Sequence, residues 1–134
     1  MKDGTAFQSV TVLVVEDEPF SLRFVGRVLQ TLGVAGVIGA GNGCIALELL
    51  ENSETPIDLV ISDIEMPEMD GFELVRRIRY GTVPQYKDVP ILMLTGQDSE
   101  ENLMKGRIHN IDGFIVKPPK ADTLEVHMRK ALGL

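Results

Sequence analysis

Leu59–Gly71, LVISDIEMPEMDG, is an apolar run that stops at a carboxylate and passes into a proline-broken turn. Leu59, Val60 and Ile61 are strand formers, and a short continuous apolar run between turn signals reads as a strand buried on both faces. Asp63 then stands at the carboxyl end of that strand. In an open parallel sheet this is the edge where loops splay apart and ligands bind. Pro67 and Asp70-Gly71 force a turn. Asp70 can cap a helix beginning at Phe72, with Glu73 reaching back from the third position.

Outward from this stretch the same pattern repeats. Val10–Val15 is a second continuous apolar run, ending in Glu16-Asp17-Glu18-Pro19, where Glu16 or Asp17 can serve as a helix cap. Phe20, Phe24, Val25, Val28, Leu29 and Leu32 follow at helical spacing until Gly33. Val34–Ala40 is glycine-rich and weakly β-like, an edge strand. After Gly41-Asn42-Gly43, the residues Ile45, Ala46, Leu47, Leu49 and Leu50 make a mostly apolar helix that ends before Thr55-Pro56. Beyond the central strand, Phe72, Leu74, Val75 and Ile78 mark the apolar side of a helix whose basic last turn, Arg76, Arg77 and Arg79, suits the negative end of its dipole and reads as a solvated end. Ile91–Leu94 is another buried strand closing at Thr95-Gly96. Asp98 and Glu101 can cap the helix after it, which Asn110 ends in a left-handed conformation. Gly113–Val116, Lys117-Pro118-Pro119 and an amphipathic helix through Leu124, Met128, Ala131 and Leu132 complete the chain.

Strand and helix thus alternate five times, which means a parallel α/β sheet with helices on both faces. Its consequence is chemical. Glu16, Asp17, Asp63, Thr95 and Lys117, distant in sequence, all fall on the edge formed by the strands' carboxyl ends.

Length and composition agree with one domain. The chain has 134 residues and is 44% hydrophobic, with no apolar stretch of membrane-spanning length. Met1–Ser9 reads as a flexible lead-in and residues 10–134 as the domain. No secretory signal opens the sequence and Cys44, the lone cysteine, has no internal disulfide partner, so a cytoplasmic location is expected. A formal charge of −7 argues against direct nucleic-acid binding.

Two carboxylates about 4 Å apart repel by roughly 4 kcal/mol at an effective dielectric of about 20, so a cluster of three calls for a cation. Oxygen donors without His or Cys select a hard divalent ion, and Mg²⁺ is the natural one. That is half of a phosphoryl-transfer site. The other half is a nucleophile, donors for the phosphoryl oxygens and a fixed positive charge, roles that Asp63, Thr95 and Lys117 can fill in turn. A phosphorylated carboxylate is a labile acyl phosphate suited to a switch.

The stretches VLVVEDEP, AGNGCIALELL, LVISDIEMPEMDGFELVRRIR, PILMLTG and DGFIVKPP, which cover nearly all of residues 11–132, make the chain resemble the receiver domains of two-component response regulators, single-domain chemotaxis regulators included. The resemblance implies a doubly wound, flavodoxin-like sheet of order 2-1-3-4-5 with five helices. It implies Asp63 as the aspartate phosphorylated by a histidine kinase or histidine phosphotransfer protein. Asp17 and Asp63 would bind Mg²⁺ directly, Glu16 largely through water, and Glu65 through its backbone carbonyl. Lys117 would pair with the phosphate, its bond to Pro118 being cis. Thr95 would move toward the phosphate and let the aromatic residue at Phe114 turn inward. Glu65 and Gln97 occupy positions that tune access of attacking water. A downstream protein would read the surface of the fourth helix, fifth strand and fifth helix, roughly residues 98–132. The domain would be no enzyme beyond its own phosphorylation and dephosphorylation. Phe114, which has no hydroxyl, Pro119 and Asn110 depart from the family's usual residues.

Two other readings fit parts of the pattern. A haloacid-dehalogenase-type phosphatase also uses a strand-end Asp with a carboxylate two residues on, as in Asp63-Ile64-Glu65, but its acidic pair follows the nucleophile and Glu16-Asp17 precedes it. A receiver-like scaffold that is never phosphorylated would have no need of the complete set. Elsewhere, Cys44 reads as a small buried residue, His109 and His127 as solvated, and Met66, Met69, Met93, Met104 and Met128 as packing.

Overall fold

The computed structural model describes residues 6–96, 104 and 109–134. Five parallel strands, β1 (Thr11–Val15), β2 (Gly36–Ala40), β3 (Leu59–Asp63), β4 (Ile91–Thr95) and β5 (Gly113–Val116), pair in the order β2-β1-β3-β4-β5, as the resemblance implies. Around them lie α1 (Pro19–Thr31), α2 (Gly43–Asn52), α3 (Gly71–Arg79) and a C-terminal helix (Ala121–Leu132). The expected helix after Thr95, with Gln97, Asp98 and Glu101, lies outside the described residues. Asn110, its expected terminus, has φ +60°. Among the described residues no helix is long and apolar enough to cross a membrane.

The unbroken apolar runs have a simple cause. Leu13, Val15, Val60, Ile91 and Met93 face one core with α2 and α3, while Val12, Val14, Leu59, Ile61, Leu92 and Leu94 face a second with α1 and the C-terminal helix. Successive side chains in a strand point to opposite faces, so a strand set between two cores carries apolar side chains on both faces. The register then aligns the strand ends. Val15 pairs with Ser62, which brings Glu16 abreast of Asp63, and Thr95 pairs with Val116, just before Lys117.

Local signals act close to where the sequence puts them. Asp70 caps α3, accepting the Glu73 amide at 2.8 Å, and the helix begins at Gly71. The Glu73 carboxylate does not reach back; it bonds Arg76 at 2.7 Å. Glu18, rather than Glu16 or Asp17, caps α1 through the amides of Phe20 and Ser21.

Several expectations need correction. Cys44 is exposed, because Gly43, Ala46, Leu47 and Leu50 supply the buried face of α2 and Cys44 lies beside it. Phe20 and Phe24 are 67% and 40% exposed, since Val25 and Leu29 already fill the inner side of α1. Met104 is exposed as well, whereas Met66, Met69, Met93 and Met128 are buried. Part of the expected flexible lead-in is packed, with Phe7 only 2% exposed. Arg79 is not a solvated end. Its guanidinium donates to the carbonyls of Lys87, Val89 and Asn110 at 2.7–2.9 Å and lies 3.5 Å from Asp112. It thereby ties the loop before β4 to the turn before β5, and burial pulls its pKa down although Asp112 opposes the shift.

Gly71 is a place where only hydrogen fits. A β-carbon there would collide with the Asp63 carbonyl oxygen and come within 2.9 Å of the Ile64 Cα. Gly71→Ala is expected to cost roughly 2–3 kcal/mol in urea unfolding, as overpacking against backbone does; a change under about 0.5 kcal/mol would mean the loop yields freely. Arg79→Ala strands three carbonyls and should cost about 2–4 kcal/mol. Arg79→Lys should recover little of this, because a single ammonium cannot reproduce the planar fork; full recovery in the same unfolding measurement would reduce Arg79 to a charge.

Candidate functional site

The site is built from four loops that leave the carboxyl ends of β1, β3, β4 and β5. Backbone bonds carry β1, β3 and β5 one residue past their ends. The Glu16 amide donates to Ala40 O at 3.0 Å, Ile64 to Leu94 O at 3.1 Å, and Lys117 to Thr95 O at 2.8 Å. Glu16, Asp63, Thr95 and Lys117 therefore start from backbone that is still part of the sheet.

At the centre, the Lys117 Nζ lies 2.9 Å from Oδ2 of Asp63 and 3.0 Å from Oε2 of Glu16. Glu16 is 1% exposed, and Asp63 and Thr95 are also buried. Asp17 is exposed but close: one carboxylate oxygen from each of Glu16, Asp17 and Asp63 lies within 4.8 Å of the other two. Each attraction at about 3 Å is worth roughly 5 kcal/mol at an effective dielectric of about 20, so the ammonium offsets the repulsion between the two buried acids. Its own protonation follows. Burial would lower the Lys117 pKa, but the bonds to Asp63 and Glu16 outweigh it and hold the pKa above the ordinary lysine value. Burial pushes the Glu16 carboxyl up, an effect the Lys117 bond opposes and the Asp63 charge reinforces. The other Glu16 oxygen, Oε1, accepts the Glu18 amide at 3.3 Å, which orients the carboxylate toward the site.

One ammonium among three carboxylates leaves a net negative, all-oxygen cluster open to solvent through Asp17. Such a donor set fits a hard divalent cation. Glu65 is exposed, and with Ile64, Met66, Pro67 and Asp70 it lines a shallow depression on the loop that follows Asp63. The Lys117–Pro118 peptide is cis. Phe114 is half-buried, its ring 6.4 Å from that of Phe72 at 53°. The structure thus brings Glu16, Asp17, Asp63 and Lys117 together; Thr95 is buried at the end of β4, Glu65 is exposed on the loop after β3, and Gln97 lies outside the described residues.

Sequence reasoning missed a neighbour of the cluster. A cavity of about 300 Å³ opens next to Lys117, lined by Phe20, Phe24, Val25, Leu94 and Pro119. The signal was an apolar stripe on α1 wider than one core needs. Phe20 and Phe24, one turn apart, extend it past the face that Val25 and Leu29 bury.

The chain is similar in sequence and fold to known proteins. The response regulator receiver domain family matches residues 12–129. The chemotaxis protein CheY homolog of Campylobacter jejuni is 32% identical over 122 residues, 91% of this chain and 92% of that protein. The two-component response regulator ARR2 of Arabidopsis thaliana is 32% identical over 117 residues, 87% of this chain, and the chain spans 17% to 20% of the length of the plant regulators it matches. Among solved structures, the chemotaxis protein CheY4 of Vibrio cholerae has a TM-score of 0.83 at 35% identity, covering 92% of this chain and 99% of its own. The receiver domain of the histidine kinase CKI1 of Arabidopsis thaliana, solved in complex with Mg²⁺ and BeF₃⁻, has a TM-score of 0.84 at 27% identity, covering 98% and 95%. With parallel strands in the order β2-β1-β3-β4-β5 and an acidic cluster at their carboxyl ends, the chain belongs to the response regulator receiver domain family, the signalling switches of two-component phosphorelays.

Proposed function

We propose that Asp63 is the phosphoacceptor of this receiver and that it takes its phosphoryl group from a histidine kinase or histidine phosphotransfer protein in a Mg²⁺-dependent reaction. The observation that carries the reading is the Lys117 ammonium held 2.9 Å from Asp63 at a rim that also gathers Glu16 and Asp17. In the transfer an Asp63 oxygen bonds to phosphorus as the bond from phosphorus to the donor imidazole nitrogen breaks, leaving an acyl phosphate on Asp63. Such a reaction asks the protein mainly for positioning and for charge stabilisation. Lys117 supplies a fixed positive charge and Thr95 a hydroxyl at the adjoining strand end. Mg²⁺ would be held by the carboxylates of Asp17 and Asp63, with Glu16 close by and the Glu65 carbonyl as a further oxygen; when bound it neutralises charge on the phosphoryl oxygens. The chain would process only its own phosphoryl group.

The switch follows from differential bonding. Thr95 and Lys117 would each bond to oxygens of the phosphoryl group, so phosphorylation favours whichever conformer lets both reach. Phe114, packed on Phe72 and lacking a hydroxyl, would respond through packing alone. The response would be read by a downstream protein on β5, the C-terminal helix and the segment beginning at Asp98. We take the compartment to be the cytoplasm, in keeping with the lone Cys44.

Acetyl phosphate with Mg²⁺ should load one phosphoryl group per chain, seen by intact mass, and Asp63→Asn should take up none; uptake by Asp63→Asn, or continuous turnover of phosphate monoesters, would overturn the assignment. Lys117→Ala removes the charge beside the acceptor and is expected to slow loading by roughly 100-fold, a typical loss for one preorganised stabilising group. Glu65→Ala should change the lifetime of the acyl phosphate, because a carboxylate at that position orients or repels attacking water; equal lifetimes in wild type and variant would remove that role.

A further inference from the structure

The segment before β1 is closed into a turn, the Val10 amide donating to Phe7 O at 3.0 Å. This turn directs Phe7, 2% exposed, into the layer made by Val25 and Leu29 of α1 with Leu124 and Met128 of the C-terminal helix. The ring also meets Arg129, whose guanidinium carbon is 5.5 Å from the ring centroid. Arg129 is held in that position from within its own helix: its Nε lies 3.0 Å from Oε2 of Glu125, one turn earlier, and Glu125 is itself buried. The base of the segment is fixed as well, since the Val10 carbonyl accepts the Ala35 amide at 2.8 Å.

We propose that this N-terminal arm is a clamp on the C-terminal helix, with the Phe7 ring as a wedge and Arg129, set by Glu125, as its catch. Three features support a device rather than incidental packing. The ring joins the chain's first described residues to its last helix, so one contact bridges two segments far apart in sequence. The guanidinium is already oriented by its ion pair, and a cation over an aromatic face gains most when it need not reorganise. The contact lies by the amino end of β1, whereas the acidic cluster lies at the strands' carboxyl ends. Releasing the arm therefore loosens the C-terminal helix while Glu16, Asp63 and Lys117 stay assembled. This inference stands independently of which residue is phosphorylated.

Hydrogen exchange read by mass spectrometry on the full chain tests it, with Phe7→Leu, which keeps an apolar side chain, and Arg129→Gln. In each variant the amides of Ala121–Leu132 should exchange roughly tenfold faster, while those of β1 and β3 are unchanged, as for local rather than global opening. The double variant should exceed neither single one by more than about twofold, because both remove the same contact. Unchanged protection of the C-terminal helix in either single variant overturns the clamp. So does additive acceleration in the double variant, and so does uniform acceleration in all strands, which would make Phe7 an ordinary core residue.

Discussion

A single ammonium wedged between two buried carboxylates is the interaction on which the acidic rim depends. Glu16 and Asp63 arrive on adjacent strands of a parallel sheet and cannot separate without breaking the β1–β3 register. Left alone, two such charges would favour protonation or opening of the rim. Lys117, reaching in from the end of β5, lies within 3.0 Å of both. The ammonium thus sets a positive charge between the two acids, while Asp17 keeps one side of the cluster in contact with solvent. A buried carboxylate with a cation beside it and an open side is the arrangement a phosphoacceptor requires.

Rigidity comes from the two cores. Each strand contributes side chains to both, and the strands' last residues are bonded to their neighbours beyond the formal strand ends. The loops carrying the acids are thus short extensions of a stiff platform. Gly71 presses α3 directly against the backbone of Asp63, and Arg79, at the other end of α3, ties the loops that precede β4 and β5. The helix that follows the candidate acceptor is held at both ends, one by close packing and one by charge-assisted hydrogen bonds.

The parts legible in the sequence share a physical origin in local or periodic signals. Continuous apolar runs at Val12–Val15, Leu59–Ile61 and Ile91–Leu94 reveal strands buried on both faces, and the position of Asp63 at the end of one follows by counting. What could not be read were choices made between competing surfaces. Cys44 and Gly43 are adjacent, and which of them faces inward depends on Met69 from another loop, packed where a side chain at Gly43 would go. Arg79 looks like its neighbours Arg76 and Arg77 until three carbonyls from two other loops converge on it. Phe7 sits in a polar stretch with no periodicity, and its burial rests on α1 and the C-terminal helix.

By itself the sequence determined the alternation of strand and helix, the parallel sheet and the identity of the residues at its carboxyl edge, because periodicity, turn residues and strand ends are properties of contiguous chain. Only the tertiary structure decided that Lys117 stands between Glu16 and Asp63, that Arg79 turns inward, and that Phe7 closes against Arg129. Those contacts join segments far apart in the chain, and their distances are set by register and packing, which no local stretch encodes.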